Sequence, residues 1–289
     1  MDAQEKELEL FQSRLKQLKA SKKEYFFEAS ELVKKEDPDP SRLDWLLLRA
    51  CYNAHIDVFR MLIDLKRDLA TDDSLICSTN SYSVVQLLVA KGANVCARNN
   101  LPLQLAAARG DYTVAKFLIL SGADPQAFDC LAFWIALERG HTSIARFLFN
   151  LGGVDLSVRA SRAISSIIDA GYYFSLEFLL SKGVDAGQCA KFLPQIAERE
   201  QSGLLSTLVS FGVDVHFEED EALIRAVFAR NSLIVKILLD NGADVKAQNH
   251  KAIRIARKLR SERVLSLLLS QYKGTAYVWA RLFVYGLVR

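Results

Sequence analysis

A short glycine-containing motif returns about every 30 residues through most of this chain. The aligned glycines, which are separated by 30, 30, 31, 29 and 30 residues, are Gly92, Gly122, Gly152, Gly183, Gly212 and Gly242. A fixed period over six copies is the signature of a repeat protein, in which each unit can bury its apolar face only against its neighbours. The period therefore constrains the fold more than any other feature of the sequence.

Each glycine closes a run of residues with apolar positions at helical spacing, such as TVAKFLILS before Gly122. A helix of this pattern buries one stripe, and the glycine suits the left-handed residue that follows a helix end. A further helix is predicted around the small residues that stand fourteen positions after the glycines, which are Ala106, Ala136, Ser166, Ala197, Ala226 and Ala256. Each unit is predicted to be helix, turn, helix and loop, and the fold class all-α.

The unit LPLQLAAARGDYTVAKFLILSGADP (101–125) resembles the ankyrin repeat consensus. The matching residues are Pro102, Leu103, Ala106, Ala107, Gly110, Val114, Leu118, Gly122, Ala123 and Asp124. The family's histidine after Pro-Leu is Gln104 here, and the units are shorter than the usual ~33 residues. Because the missing residues fall in the loop between units, the resemblance implies an ankyrin-like helix-pair solenoid with shortened inter-repeat fingers.

Extending the register outward predicts about eight helix pairs. The predicted solenoid covers residues 41–272, with a helical N-terminal cap at 1–40 and an apolar C-terminal capping helix at 273–289. Terminal units of a solenoid are atypical because they must cap its open ends. A narrow helical stripe in the N-terminal cap contains Leu8, Phe11, Leu15 and Leu18. This stripe either packs on the first repeat or forms a coiled-coil seam.

The C-terminal sequence AYVWARLFVYGLVR (276–289) is apolar and aromatic. It is too short to cross a bilayer, which takes about 20 apolar residues. One interpretation is a last helix that caps the open end of the stack. The other is a membrane-surface or partner-docking segment, in which Arg281 and Arg289 would face an anionic surface.

Composition narrows the class of partner and the compartment. A net charge of +3 is small for 289 residues and argues against a dedicated nucleic-acid binder. The acidic opening sequence has no secretory signal pattern. The five cysteines are far apart and form no C-x-x-C pair, which suits neither a disulfide framework nor a zinc site. We expect a monomer in a reducing, intracellular and cytoplasmic compartment.

Catalytic signatures are missing from the sequence. It contains no phosphate loop, no Gly-x-Ser-x-Gly turn and no His-Glu-x-x-His run, and its four histidines fall in different repeats. The acidic run at 218–221 lacks the glycine and alternate spacing of a calcium loop. The sequence therefore predicts a protein that is not an enzyme and has no catalytic residues, cofactor or metal.

The family resemblance implies that partner contacts come from the finger tips and from the exposed ends of the first helices. In this register the tips are Arg98, Asn99, Asn100, Phe128, Asp129, Arg159, Lys191, Glu218, Glu219, Gln248 and Asn249. The helix ends are Arg109, Glu138, Arg139, Asp169, Arg199, Glu200, Phe228 and Lys258. The charge along these positions is mixed, which favours a protein partner over nucleic acid.

Phe128 is the one aromatic residue among the predicted tips. Aromatic and arginine side chains carry much of the binding energy at protein interfaces, so Phe128 is the leading anchor, together with Arg98, Arg109 and Arg139. The alternative is that its ring folds back onto Phe133 or Trp134.

The function predicted from the sequence is a non-catalytic scaffold or adaptor that binds a protein partner on the concave face of the stack. A second hypothesis is a membrane-associated adaptor or host-targeting effector, anchored by residues 276–289. Short-loop ankyrin-like proteins of this kind resemble those that large DNA viruses and intracellular bacteria place in host cytoplasm. That likeness is an analogy at the level of the fold.

Overall fold

The computed structural model describes residues 28–32, 39–65 and 73–272. Regular structure in these ranges is helical throughout, in agreement with the predicted all-α class. The two predicted capping segments lie largely or wholly outside the described residues. None of the described helices combines the length and the apolar character that crossing a membrane requires.

The described residues form eight helix pairs, as the repeat count predicts. The first four are α1 (Pro40–Tyr52) with α2 (Ile56–Ile63), α3 (Asp73–Ser78) with α4 (Tyr82–Ala90), α5 (Ala97–Arg109) with α6 (Tyr112–Leu120), and α7 (Ala127–Glu138) with α8 (Thr142–Asn150). The last four are α9 (Leu156–Ala170) with α10 (Tyr173–Ser181), a 3₁₀ helix η1 (Ala186–Phe192) and α11 (Leu193–Glu198) with α12 (Ser202–Ser210), α13 (Phe217–Phe228) with α14 (Ser232–Asp240), and α15 (Ala247–Lys258) with α16 (Glu262–Ser270).

The chain divides into two compact units. The first comprises the residues up to Ala136 together with Ser143–Val154, and the second comprises Leu137–Thr142 together with the residues from Asp155 onward. Each unit has its own apolar interior. Phe133 and Trp134 are among the largest buried side chains of the first unit, and Ile234 and Leu238 are fully buried in the second.

The six periodic glycines follow the second helices of six of the eight described pairs, as predicted. Gly122 has φ +103° and Gly242 has φ +97°, both in the left-handed region. After five of the six glycines, the next residue donates its backbone N–H to a carbonyl five residues back, at 2.9 Å for Ala123 to Leu118 and 3.0 Å for Ala243 to Leu238. This is the Schellman pattern, which satisfies carbonyls left free at a helix end.

One loop contains an additional left-handed residue. Gly152 (φ +87°) is followed by Gly153 (φ +84°), which accounts for the longer glycine spacing that follows. A Cβ on Gly153 would lie 2.6 Å from the Gln126 side chain, so no larger residue fits there without rearrangement. In this repeat the predicted small residue Ser166 is half-buried, and Ala163 is fully buried on the same helix.

The first helices also end on left-handed residues, but these are not always glycine. Gly110 and Gly140 occupy this position with φ +83° and +78°, whereas Arg230 and Arg260 occupy it with φ +56° and +54°. An L-residue in this conformation is strained because its Cβ approaches the following carbonyl oxygen.

Replacing Arg230 with glycine is therefore expected to raise the free energy of unfolding by about 1 kcal/mol, and Gly110→Ala to lower it by a similar amount. Urea denaturation followed by circular dichroism measures both. Arg230→Ala is the control, since it removes the long side chain but keeps the strained Cβ. Equal stability of the glycine and alanine variants at position 230 would contradict the explanation.

Candidate functional site

The predicted finger tips coincide with an unusual backbone feature. Three successive residues adopt left-handed φ and ψ at 98–100, 128–130, 218–220 and 248–250, each time six to eight residues after the periodic glycine. Each triplet kinks the chain at the start of a first helix. Because left-handed L-residues cost about 1–2 kcal/mol each, a recurrence in four loops requires compensating contacts.

The third residue of the triplet supplies one such contact. Asn100 is 8% exposed, and its Oδ1 accepts a 2.8 Å hydrogen bond from the backbone N–H of Asp124 in the next loop. Asp220 is 4% exposed and accepts a 3.0 Å bond from the N–H of Asp244 in the same way. These bonds join consecutive loops. Asn100 was predicted to contact a partner, and the structure corrects this, because its side chain is buried and already bonded.

Cys130 has the equivalent place in the loop that follows α6. Its Sγ lies 3.4 Å from the Gly153 carbonyl oxygen, where the thiol donates to the next loop. Burial, together with the nearby carboxylates of Asp124 and Asp129, raises the pKa of the Cys130 thiol. The thiol therefore keeps its proton near neutral pH, which suits a structural donor.

Each loop is also fixed by a turn of its own. The Asp124 carboxylate accepts a 2.8 Å hydrogen bond from the N–H of Gln126, and Asp244 accepts one of the same length from Lys246. Side-chain turns of this type hold the backbone without help from a neighbour. The tips are therefore rigid features of the described loops.

The first two residues are exposed to solvent in three of the four triplets, and in the fourth Gln248 is half-buried. Phe128 is 53% exposed, and Arg98, Asn99 and Asp129 are exposed as well. At this exposure the Phe128 ring is not part of the core. Phe133 and Trp134 pack against each other with ring centroids 4.9 Å apart, and both are buried.

Two predicted tips do not lie on left-handed triplets. Arg159 is half-buried within α9, which runs without a kink from the residue after its Asp155 cap. Lys191 is exposed in η1, and its Nζ lies 5.1 Å from the centroid of the Phe192 ring. The additional Gly153 and the 3₁₀ turn give these two repeats a different loop geometry. They lack the projecting tip that strict periodicity predicts.

Several predicted helix-end residues bond to the neighbouring repeat. Arg109 donates from Nη1 to the Thr79 carbonyl at 2.8 Å. In the second unit, Asp169 accepts from Arg199 at 2.9 Å and from Gln195 at 2.8 Å. Among the remaining predicted positions, two are half-buried, Glu138 and Gln248. The exposed ones are Arg139, Glu200, Glu218, Glu219, Phe228, Asn249 and Lys258.

The first helices of the second unit carry a charged network that the sequence prediction missed. Arg225 lies 2.8 Å from Glu221 and 3.2 Å from Glu198, and Lys251 lies 3.6 Å from Glu221. The repeat period could have predicted the Glu221–Lys251 ion pair, because these residues occupy equivalent positions in consecutive repeats. Equivalent residues of neighbouring repeats lie side by side, so opposite charges one period apart predict an ion pair.

Glu221 is the centre of this network. Partial burial pushes its pKa up, but hydrogen bonds from Arg225 and Gln248 and the charges of Lys251 and Arg225 outweigh burial and leave the pKa below its ordinary value. A carboxylate with a lowered pKa in the folded state stabilises the fold above its unfolded-state pKa of about 4.3. That contribution is lost as the pH falls through the lowered value.

Glu221→Gln should therefore reduce stability at pH 7 by up to about 1 kcal/mol, because the ion pairs are partly exposed. The difference from wild type should be smaller at pH 3 than at pH 7, because the contribution is lost as the pH falls below about 4.3 and through the lowered folded-state pKa. Urea denaturation at the two pH values measures it. Glu219→Gln, at an exposed carboxylate, should match wild type at both, and a loss as large as that of Glu221→Gln would contradict the assigned network.

The loop-to-loop bond of Asn100 leads to a second prediction. Asn100→Ala leaves the Asp124 N–H without its acceptor in a partly buried place, which should cost about 1–3 kcal/mol. Asn99→Ala changes the adjacent residue of the same triplet, whose side chain is exposed, and should cost much less. Denaturation midpoints of the two variants compare the positions directly, and equal losses would mean that the bond contributes nothing.

A metal or small-molecule site has little support from the described part of the chain. No group of three or more His, Cys, Asp or Glu side chains in it is arranged to hold a metal ion. Two surface grooves occur in the second unit, of about 280 Å³ beside Lys182 and about 500 Å³ beside Leu233. The expectations of no metal, cofactor or catalysis stay predictions.

Comparison with known proteins identifies a repeat family in part of the chain. Residues 47–129 match the family model described as ankyrin repeats, in three copies. No curated protein matches the sequence. Three solved ankyrin repeat domains are similar in structure. That of Bcl-3, a member of the IκB family, has 21% identity and a TM-score of 0.45, over 77% of this chain and 96% of its own.

The other two are more distant in sequence. A domain from Acinetobacter baumannii has 18% identity and a TM-score of 0.37, over 70% of this chain and all of its own. The domain of human ASB11 has 18% identity and a TM-score of 0.36, over 79% of this chain and 98% of its own. These likenesses concern the fold and do not identify a partner.

Proposed function

Because residues 47–129 are ankyrin repeats, we propose that this protein is a non-catalytic scaffold that binds a protein partner through its exposed finger tips. Repeat stacks of this kind present extended surfaces and generally act as interaction modules. The observation that carries the proposal is the Phe128 side chain, which lies within the matched repeats and is held in solvent on a rigid left-handed tip.

The Phe128 ring is exposed at an energetic cost. Its backbone has φ +54°, a conformation that is a genuine outlier for a bulky residue. Over half of the side chain stays in water, so the ring contributes little to the core. The left-handed loop fixes this ring in solvent, where a partner can reach it without a rearrangement of the backbone. A partner that covers the ring recovers its hydrophobic free energy.

The charge around the tips of the first unit supports a protein partner. Arg98 and Asp129 are exposed at adjacent tips, and neither side chain forms an ion pair with another described residue. Charges of both signs beside an aromatic anchor are typical of protein interfaces, where they set orientation and association rate. Nucleic acid would instead require a run of cations.

The sequence-based alternative is a membrane-associated adaptor or host-targeting effector anchored by residues 276–289. This segment lies outside the described residues, so the alternative stays a prediction, as does a cytoplasmic location. Flotation of the full chain with liposomes, with and without residues 276–289, separates an anchor from a cap.

The first experiment uses Phe128→Ser. Immobilised wild-type protein should capture a defined set of proteins from cell lysate, identified by mass spectrometry, and the variant should lose most of that set. Loss of a buried aromatic anchor at an interface costs roughly 2–4 kcal/mol, which corresponds to at least a thirtyfold weaker affinity.

The matched control is Phe174→Ser, which removes an aromatic side chain of similar exposure, 58%, at the start of α10 in the other unit. Both variants should keep the wild-type circular dichroism spectrum and melting temperature, because neither ring is in the core. If the captured set is the same for wild type and Phe128→Ser, the tip is not the binding site.

A further inference from the structure

A groove lies on the second unit, away from the tips. It lies between α14 and α16, the second helices of two consecutive pairs, and has a volume of about 500 Å³. Its lining residues are Ser232, Leu233, Lys236, Arg263, Ser266 and Leu267. α14 and α16 are equivalent helices of neighbouring repeats that start 30 residues apart, so the groove runs between them.

The apolar part of the groove is not used by the core. Leu233 is 56% exposed on the first turn of α14, whereas Ile234, Val235 and Leu238 of the same helix are fully buried. On α16, Val264 and Leu268 fill the core in the same way, and Leu267 is half-buried in the groove. Leu233 therefore presents apolar surface to solvent without a role in packing the repeat.

The charged part of the groove has one sign. Lys236 and Arg263 are its only charged lining residues, and neither side chain bonds to a carboxylate among the described residues. The nearest acidic residues in sequence, Asp240 and Glu262, do not line it. The first helices of the same unit differ, since Arg199 and Arg225 there are each paired with a carboxylate. The two cationic side chains favour an acidic ligand, and the exposed leucine beside them favours a ligand that is also partly apolar.

We propose that the groove between α14 and α16 binds an acidic amphipathic helix of a protein partner. A helix in a groove inserts apolar side chains spaced three or four residues apart, which here would meet Leu233 and Leu267. Glutamate or aspartate on the flanks of that helix would meet Lys236 and Arg263. A membrane surface is a poorer fit, because anionic lipids are recognised by clusters of about four to eight Lys or Arg, and the groove has two.

The probe for this proposal is a fluorescein-labelled synthetic peptide of about 16 residues, with leucine on one helical stripe and glutamate on both flanks. A second peptide carries lysine in place of each glutamate. By fluorescence anisotropy, the full-length protein should bind the glutamate peptide at least tenfold more tightly than the lysine peptide. Lys236→Glu/Arg263→Glu should weaken that binding at least tenfold, and Leu233→Ser should also weaken it.

The control variant is Lys246→Glu/Lys258→Glu, which changes the net charge equally in the same unit, at exposed positions next to and on the first helix α15. It should bind the glutamate peptide as wild type does. Circular dichroism and melting curves of all variants should match wild type, because every substituted side chain lies outside the core.

The proposal fails if both peptides bind equally, since attraction would then be apolar and unspecific. It also fails if Lys236→Glu/Arg263→Glu binds the glutamate peptide as wild type does, or if both charge-reversal variants weaken it equally. The last measurement is the binding of the protein to phosphatidylserine vesicles. Vesicle binding that depends on Lys236 and Arg263, without binding of the glutamate peptide, would assign the groove to a membrane. Phe128 lies in the other unit, so the tip experiment succeeds or fails independently of this one.

Discussion

Within each compact unit, a helix pair can bury its apolar side only against the pair that precedes or follows it along the chain. The requirement sets the 30-residue period, because equivalent side chains of consecutive repeats must meet in the same register. Aromatic contacts on the second helices follow this rule. The Tyr82 ring lies 5.5 Å from Phe117, and Tyr112 lies 5.5 Å from Phe147, so the same pair of positions is used twice. Helix ends, loop bonds and ion pairs repeat along the chain for the same reason.

The short loops between repeats are the second consequence of this stacking. A short connection must still reverse the chain, and four loops do so with three left-handed residues in succession. The strain is offset by contacts of the third residue, such as the Asn100 bond to Asp124. Because that residue is tied down, the two before it are fixed in solvent. The loop that holds the stack together thus also displays Arg98 and Phe128.

The two units use their charged residues differently. In the second unit, side chains on the first helices largely satisfy one another, as with Asp169 and Arg199 at 2.9 Å. In the first unit, Phe128 and Arg98 are exposed without such partners among the described residues. A charged side chain that already forms an ion pair within the protein is less available to a ligand. The proposed binding surfaces therefore lie where side chains are exposed and form no ion pair with another described residue. The Lys236 and Arg263 groove satisfies the same condition.

The period and the helical patterning of the sequence determined the all-α fold, the eight pairs, the left-handed glycines and the positions of four of the six predicted tips. These are local or nearest-neighbour properties, and spacing alone encodes them. Tertiary structure decided which tip residues are available. Asn100 and Phe128 were both predicted as tip residues from their distance to the preceding periodic glycine. Asn100 is nevertheless 8% exposed, whereas Phe128 is 53% exposed. The difference arises because the third triplet residue reaches a donor in the next loop, and the first does not. Arg159 and Lys191 depart from the tips for a similar reason, since Gly153 and a 3₁₀ turn change the loop that carries them.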